Sequence, residues 1–191
     1  MNNVISQPQT GMRFFTPELY SRINSEDDLI SSAARLEWER NEVAYKIELD
    51  KILILPDKSV VALASFCLHD CRVLGSSYQA RHEAKYTTEG DIADSRRTTS
   101  RGMYALEFGR GFHSNRGYLS SLIYRLWAPV TVLEPQEGWL DEGPSQVFWL
   151  YDELDLIWLT PRHYIHRILF SDGTVRLIPF RSLLMTDGHV L

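Results

Sequence analysis

Two short stretches carry side chains whose types and spacing could do chemistry. His69-Asp70-Cys71 sets an imidazole, a carboxylate and a thiol side by side, the functional groups of a nucleophilic site. Members of such sites converge from separate parts of a fold, because neighbours in sequence rarely reach one another. A turn therefore explains the trio more simply, with Asp70 accepting backbone N–H bonds and His69 capping the last carbonyls of a preceding helix. Tyr151-Asp152-Glu153-Leu154-Asp155 gathers three carboxylates between Phe148, Trp149, Leu150 and Leu156, Ile157, Trp158. On a strand, Glu153 and Asp155 share one face while Asp152 and Leu154 share the other. Rings around a carboxylate raise its pKa into the range of acid–base work, and acids with a histidine can hold a divalent cation. Pairing with Arg162, Arg167 or water is the plainer alternative.

The catalytic candidates are thus His69, Asp70, Asp152 and Glu153, and the metal candidates His69, Asp70 and Asp155. His163 and His166, three apart, point to opposite faces of a strand and cannot share a metal without a bend. Arg125 and Arg167, among Leu, Ile and Trp, are either anion ligands or arginines that lay their stems over a sheet. Gly109-Arg110-Gly111 and Gly173 are not followed by the helix that a phosphate cradle needs. No cofactor is expected.

These residues need elements to position them. Residues 1–11 read as a loose leader before Phe14 and Phe15. Thr16-Pro17-Glu18 is a helix start, with a hydroxyl cap, a proline in the first turn and an acid favoured by the dipole, and that helix ends near Asn24. Ser25 opens a second helix, with Asp28 in a capping-box-like place. Leu29, Ala33, Leu36, Val43, Ile47 and Leu55 recur at helical intervals as far as about Leu53, and they read as its packing face. Pro56 ends that helix, and Asp57 or Ser59 caps a third that runs through Val60, Leu63 and Phe66.

Past Cys71 the period changes to alternation, predicting strands near 72–80, 103–110, 118–133, 146–158, 163–170 and 174–180. The polar stretch 87–102 reads as an exposed loop. Asp172-Gly173 between two apolar runs predicts a two-residue hairpin, with Phe170 opposite Val175 and Ile168 opposite Leu177. The whole predicts a single α+β domain over 1–191: about three helices in 12–70 packed on a mostly antiparallel sheet of about six strands in 71–191.

Composition narrows the function classes. The 191 residues suffice for one sizeable core,. A net charge of −5, with Arg96, Arg97 and Arg101 the one basic knot, argues against nucleic acid, which needs concentrated Lys and Arg. The lack of an apolar run of about 18 residues argues against a membrane span. Two cysteines, Cys67 and Cys71, fit reduced thiols in the cytoplasm.

Met12-Arg13-Phe14-Phe15-Thr16-Pro17-Glu18-Leu19-Tyr20, the Leu68-His69-Asp70 turn and Leu169-Phe170-Ser171-Asp172-Gly173 resemble elements of uncharacterised bacterial proteins. The resemblance covers about a fifth of the chain and implies the α+β layout, a bacterial source and Met12 as a natural start, but no activity. Three functional readings follow. The first is a non-catalytic interaction module that binds another protein or itself, since Trp and Tyr commonly anchor interfaces. The second is a metal-assisted hydrolase built from His69 and Asp70 with Asp152, Glu153 and Asp155. The third is a small-ligand binder with a pocket between helices and sheet.

Overall fold

The computed structural model describes residues 11–55, 57–66, 68–80, 102–109, 119–135, 139 and 146–187. The basic knot, Cys67, Arg110, Gly111, almost all of the leader and almost all of the 87–102 stretch lie outside them. Among the described residues three helices, α1 (Pro17–Ile23), α2 (Asp28–Leu53) and α3 (Lys58–Ala64), precede seven strands. The strands are β1 (Cys71–Ala80), β2 (Gly102–Phe108), β3 (Leu119–Leu126), β4 (Thr131–Leu133), β5 (Val147–Leu159), β6 (Arg162–Phe170) and β7 (Val175–Asp187). The chain is therefore α+β, with the helices before an antiparallel sheet. None of the described helices is long and apolar enough to cross a membrane.

Side-chain caps set the helix starts. Thr16 accepts from the N–H of Leu19, and Asp57 from those of Ser59 and Val60. For α2 the cap is Asp27, accepting from Leu29 and Ile30, and Ser25 instead supports Asp27 from outside the helix. An ionised carboxylate at this position satisfies two of the orphan N–H groups and meets the positive end of the helix dipole.

The strands run in the order β3-β2-β1-β5-β6-β7-β4, and a further β3–β7 pairing joins six of them into a ring. That closure comes from the length of β7. Val175–Phe180 pair with β6, while on the other edge residues 175–177 meet β4 and residues 180–187 meet β3. A closed ring removes the unpaired edges that make open sheets prone to aggregation. The stretch 118–133, read as one strand, is two: β3 ends at Leu126, and β4 begins at Thr131 after a bend at Trp127 and Ala128.

Leu106, Leu122, Tyr124, Ile168, Phe170, Ile178 and Phe180 fill the interior, and Val60 and Leu63 of α3 join the same cluster. On the outside of the ring, Leu150, Leu169 and Val175 pack with Met12, Tyr20 and Trp139. With both faces covered, β6 is buried at every position except its first. That explains why its sequence runs Tyr-Ile-His-Arg-Ile-Leu-Phe with weak polar alternation.

The β6–β7 register is one residue away from the expected one. Leu169 lies opposite Val175, and Ile168 opposite Arg176. Gly173 alone in this turn takes positive φ, at 79°, and the Asp172 carboxylate accepts from the backbone N–H and hydroxyl of Thr174. With Phe170 N–H donating to the Thr174 carbonyl and Gly173 N–H to the Phe170 carbonyl, the loop has three residues, Ser171 to Gly173, where two were expected. A short acid that bonds locally forward favours this longer turn over one requiring two positive φ angles. The slip has a consequence: Arg176 shares the interior face with Ile168 and Ile178.

Helix α2 holds the largest departure from expectation. Its packed side is Ser31, Ala34, Trp38, Asn41, Tyr45, Leu49 and Ile52, spaced by three and four. This face is tied down largely by polar groups. The Ser31 hydroxyl donates to the Ile23 carbonyl (2.8 Å), the Asn41 amide to the Phe14 carbonyl (2.8 Å), and the Tyr45 hydroxyl accepts from the Leu154 N–H (2.9 Å). The stripe read as the packing face is turned to solvent. Of its members Leu29 is 83% exposed, Leu36 61%, Val43 64% and Ile47 55%, and Ala33 is exposed too, while Leu55 is half-buried; Ile54, not among the expected members of that stripe, is 83% exposed.

Candidate functional site

The alternation of β5 separates the three carboxylates as expected, and each goes to different partners. Glu153 and Asp155 face outward, toward the segment before α1. Glu153, 1% exposed, accepts from the backbone N–H groups of Arg13, Phe14 and Phe15 at 2.6–2.9 Å. Burial pushes its carboxyl above the ordinary glutamate range, with those N–H groups and Arg167 pulling the other way. Asp155 takes the Arg13 guanidinium on one oxygen at 2.9 Å and the buried Arg167 on the other. This arrangement stitches residues 13–15 to the outer wall of the ring and commits the acids to bonds within the fold, with Glu153 fully covered and Asp155 left, beside Arg13, at the wall of a cavity.

Asp152 points the other way. One of its oxygens accepts from the Trp149 indole at 3.1 Å, and the other meets His166 Nε2 at 2.9 Å. His166 Nδ1 lies 2.8 Å from the Tyr124 hydroxyl. With the Nε2 proton on the Asp152 side, Nδ1 accepts from Tyr124, and the three groups form a chain into the ring. An Asp-His-hydroxyl series resembles a nucleophilic triad, but here the exposure is inverted. A triad needs an accessible nucleophile, whereas Tyr124 and His166 are both 0% exposed and Asp152 is the most open member, with about a third of its side chain accessible. Burial first, then the Asp152 and Tyr104 groups, hold the Tyr124 phenol far above its usual pKa, so it stays neutral. The chain is a buried brace. Tyr124→Phe removes one link and leaves His166 Nδ1 without its partner in the core, so a loss of about 1–3 kcal/mol is expected in urea unfolding. A loss under about 0.5 kcal/mol would mean the chain adds nothing to the fold.

His69 and Asp70 form a turn beside β5. Asp70 has φ +64°, its N–H donates to the Trp149 carbonyl at 2.8 Å, and its carboxylate lies 2.9 Å from His69 Nδ1. Instead of capping a helix, the His69 ring stands edge-on to Tyr151, 4.8 Å between centroids. Tyr151 also contacts Phe15, Tyr20 and Trp38, so the aromatics noted in sequence join α1, α2 and the ring. The turn is thus next to β5, yet Asp152, Glu153 and Asp155 are directed to other partners. Among the described residues no group of three or more His, Cys, Asp or Glu is placed to hold a metal ion. His163 and His166 do lie on opposite faces, with His163 accepting from Arg181 Nε at 2.9 Å and packed against Trp127 and Trp158. Arg125 is exposed, and Cys71 is buried in the core cluster.

Among the described residues, a cavity of about 350 Å³ is lined by Arg13 and Asp155 with Glu48, Lys51, Ile52 and Leu55, and two further cavities lie away from these acids. One of about 460 Å³ lies beside the stacked Tyr20 and Trp139 rings, bordered by Asn24, Ser25 and Ile30. The other, about 490 Å³, lies where β1, β2, β4 and the β6–β7 turn meet. Arg176 reaches into its lining, stacked over Phe170 and donating to the Tyr104 hydroxyl at 2.7 Å.

The feature that sequence reasoning passed over is the outward face of α2. Its signal was present, since the stripe was found but assigned to the core. A second set at three- and four-residue spacing, Ser31-Ala34-Trp38-Asn41-Tyr45-Leu49-Ile52, had an equal claim to that role. Two such faces on one helix cannot both pack against the same body.

No protein-family model, curated protein or solved structure matches the chain.

Proposed function

We propose that this chain is a cytoplasmic, non-catalytic protein-interaction module whose docking face is the outer stripe of α2. One observation carries the reading. Leu29, Leu36, Val43, Ile47 and Ile54 are each more than half exposed along one side of a helix whose opposite side is already packed. Apolar side chains aligned on one side of a surface helix, interrupted here by Arg40 and Asp50, are costly in water, and large exposed apolar patches mark contact sites. Asp152, Glu153 and Asp155 support the same reading, because each is held by a partner within the fold, while the Asp70 carboxylate is largely exposed beside His69. In helix-in-groove recognition, anchors recur along one helix face as they do here.

The test is a photo-crosslinking residue placed at Leu36, in cells that naturally make the chain, with a control at the exposed Lys58 on α3. An adduct at position 36 and none at 58 is the expected result. Labels that react at neither position, with the chain expressed and folded, would overturn the assignment. Replacing Leu36 and Ile47 together by Lys should change unfolding free energy by no more than about 0.5 kcal/mol per site, as for other exposed positions, while abolishing the adduct formed from a neighbouring label at Val43.

A further inference from the structure

Resting on that reading, we infer that the partner on α2 is a second copy of the same chain, docked antiparallel about a two-fold axis that passes near residues 41 and 42. The positions along the stripe are Leu29, Ala33, Leu36, Arg40, Val43, Ile47, Asp50 and Ile54. Their spacing alternates four and three throughout, the repeat of a coiled-coil seam. All eight are exposed. At about 1.5 Å per residue the seam extends roughly 38 Å.

The two polar members of the seam choose the orientation. In a parallel pair each position meets its own counterpart, so Arg40 would face Arg40 and Asp50 would face Asp50, with Lys46 beside Lys51 of the other copy. Reversing one helix removes all three conflicts. Leu29 then meets Ile54, Leu36 meets Ile47, Arg40 lays its stem over Val43, and Asp50 meets the small Ala33, each contact occurring twice. On the flank, antiparallel packing brings like positions together, which sets Glu39 opposite Lys46 twice. The other flank carries Glu37 and Lys51, already paired within the chain to Arg22 and Glu48. Apolar contacts, seam charges and flank charges thus agree on one self-complementary register, as a two-fold interface requires.

The chain's own remaining segments are poor competitors for the stripe. Residues 1–10, 81–101, 110–118, 136–138 and 140–145 are dominated by polar, charged and turn-forming types, the apolar spacing of Met1, Val4 and Ile5 ends at Pro8, and 188–191 is too short to cover the stripe. A helix pair of this length falls near the low end of specific interfaces, roughly 1,200 Å², for which a Kd of about 1–10 μM is expected.

Sedimentation equilibrium of the full chain over about 0.5–200 μM tests this. A monomer–dimer transition in the micromolar range is expected, weakened about 100-fold by Leu36→Glu because the contact is made twice. Glu39→Lys and Lys46→Glu should each weaken it about 10-fold, and the two together should restore it to within about 3-fold of the parent. Circular dichroism of each variant checks that the helix persists. Orientation is read by cysteine oxidation. Leu36→Cys with Ile47→Cys should form a disulfide-linked dimer beyond the background of the parent chain, and Leu36→Cys alone should not. Linkage through Leu36→Cys alone would establish a parallel pair and overturn the register. A chain monomeric at 200 μM would overturn self-association. If the Leu36 label still reacted in cells with a different protein, the interaction module would stand without the dimer, so the two failures are separable.

Discussion

Glu153→Leu is expected to destabilise the chain by about 3–5 kcal/mol, among the largest effects of any single substitution in it. The leucine fills the space but accepts nothing, and the N–H groups of Arg13, Phe14 and Phe15 lose their acceptor together. With Phe15 6% and Leu19 1% exposed, the segment cannot simply rehydrate those groups without pulling its side chains from the wall. Glu153→Gln keeps one acceptor oxygen and should cost less, about 1–2 kcal/mol. Its cost should also depend on pH. Burial raises the folded pKa of Glu153 above the ordinary glutamate range, so the folded state holds that proton more tightly than the unfolded state. The resulting stabilisation is complete below the unfolded pKa and is lost as pH rises through the folded one. Glutamine has no such loss, so the gap between parent and Glu153→Gln should be narrower at pH 7 than at pH 4. Urea unfolding at both pH values measures it. A gap that widens toward neutral pH would show that the N–H donors and Arg167 outweigh burial. A Glu153→Leu loss under about 1 kcal/mol would show that the segment is not anchored there.

That anchor also shows which parts of this fold are legible in sequence. Local rules located the elements closely. Thr16, Pro17 and Glu18 gave the start of α1, Asp57 that of α3, and alternation after Cys71 gave the strands, because caps and pleats depend on residues a few places apart. An exception is the end of β7, expected near 180, which runs to Asp187 because residues 182–187 are held by β3. The same alternation correctly put Glu153 and Asp155 on one face and Asp152 on the other. Their partners were out of reach, since Arg13 and Phe14 lie 140 and 139 residues from Glu153. Ring closure was hidden for the same reason: nothing in β7 alone says that Leu183 will face Tyr124. The α2 error was different. Hydrophobicity identified an apolar stripe, but burial went to the face able to bond Ile23, Phe14 and Leu154 through Ser31, Asn41 and Tyr45. Three specific hydrogen bonds and four ring contacts of Trp38 and Tyr45 decided the orientation over five aliphatic side chains. The choice leaves the aliphatic face free to be used elsewhere.

The same physics predicts how the charged cluster beneath that segment responds when it is taken apart. Arg167 is 1% and Asp155 6% exposed, and they bond directly. Arg167→Met should cost about 3–5 kcal/mol, chiefly because Asp155 remains as a buried carboxylate with Arg13 as its cationic partner. Adding Asp155→Leu removes that stranded charge. Arg13 loses its partner in the process, but its side chain is 28% exposed and can turn toward water. The double variant should therefore be more stable than Arg167→Met alone, with a coupling of about 1–3 kcal/mol in the double-mutant cycle. Denaturant unfolding of the parent, both single variants and the double variant gives the cycle directly. Simple additivity would mean that Arg167 acts through its packed stem and not through its charge. In that case the ion pair would contribute little to holding β5 against β6, and the continuous burial of β6 would be the stronger restraint.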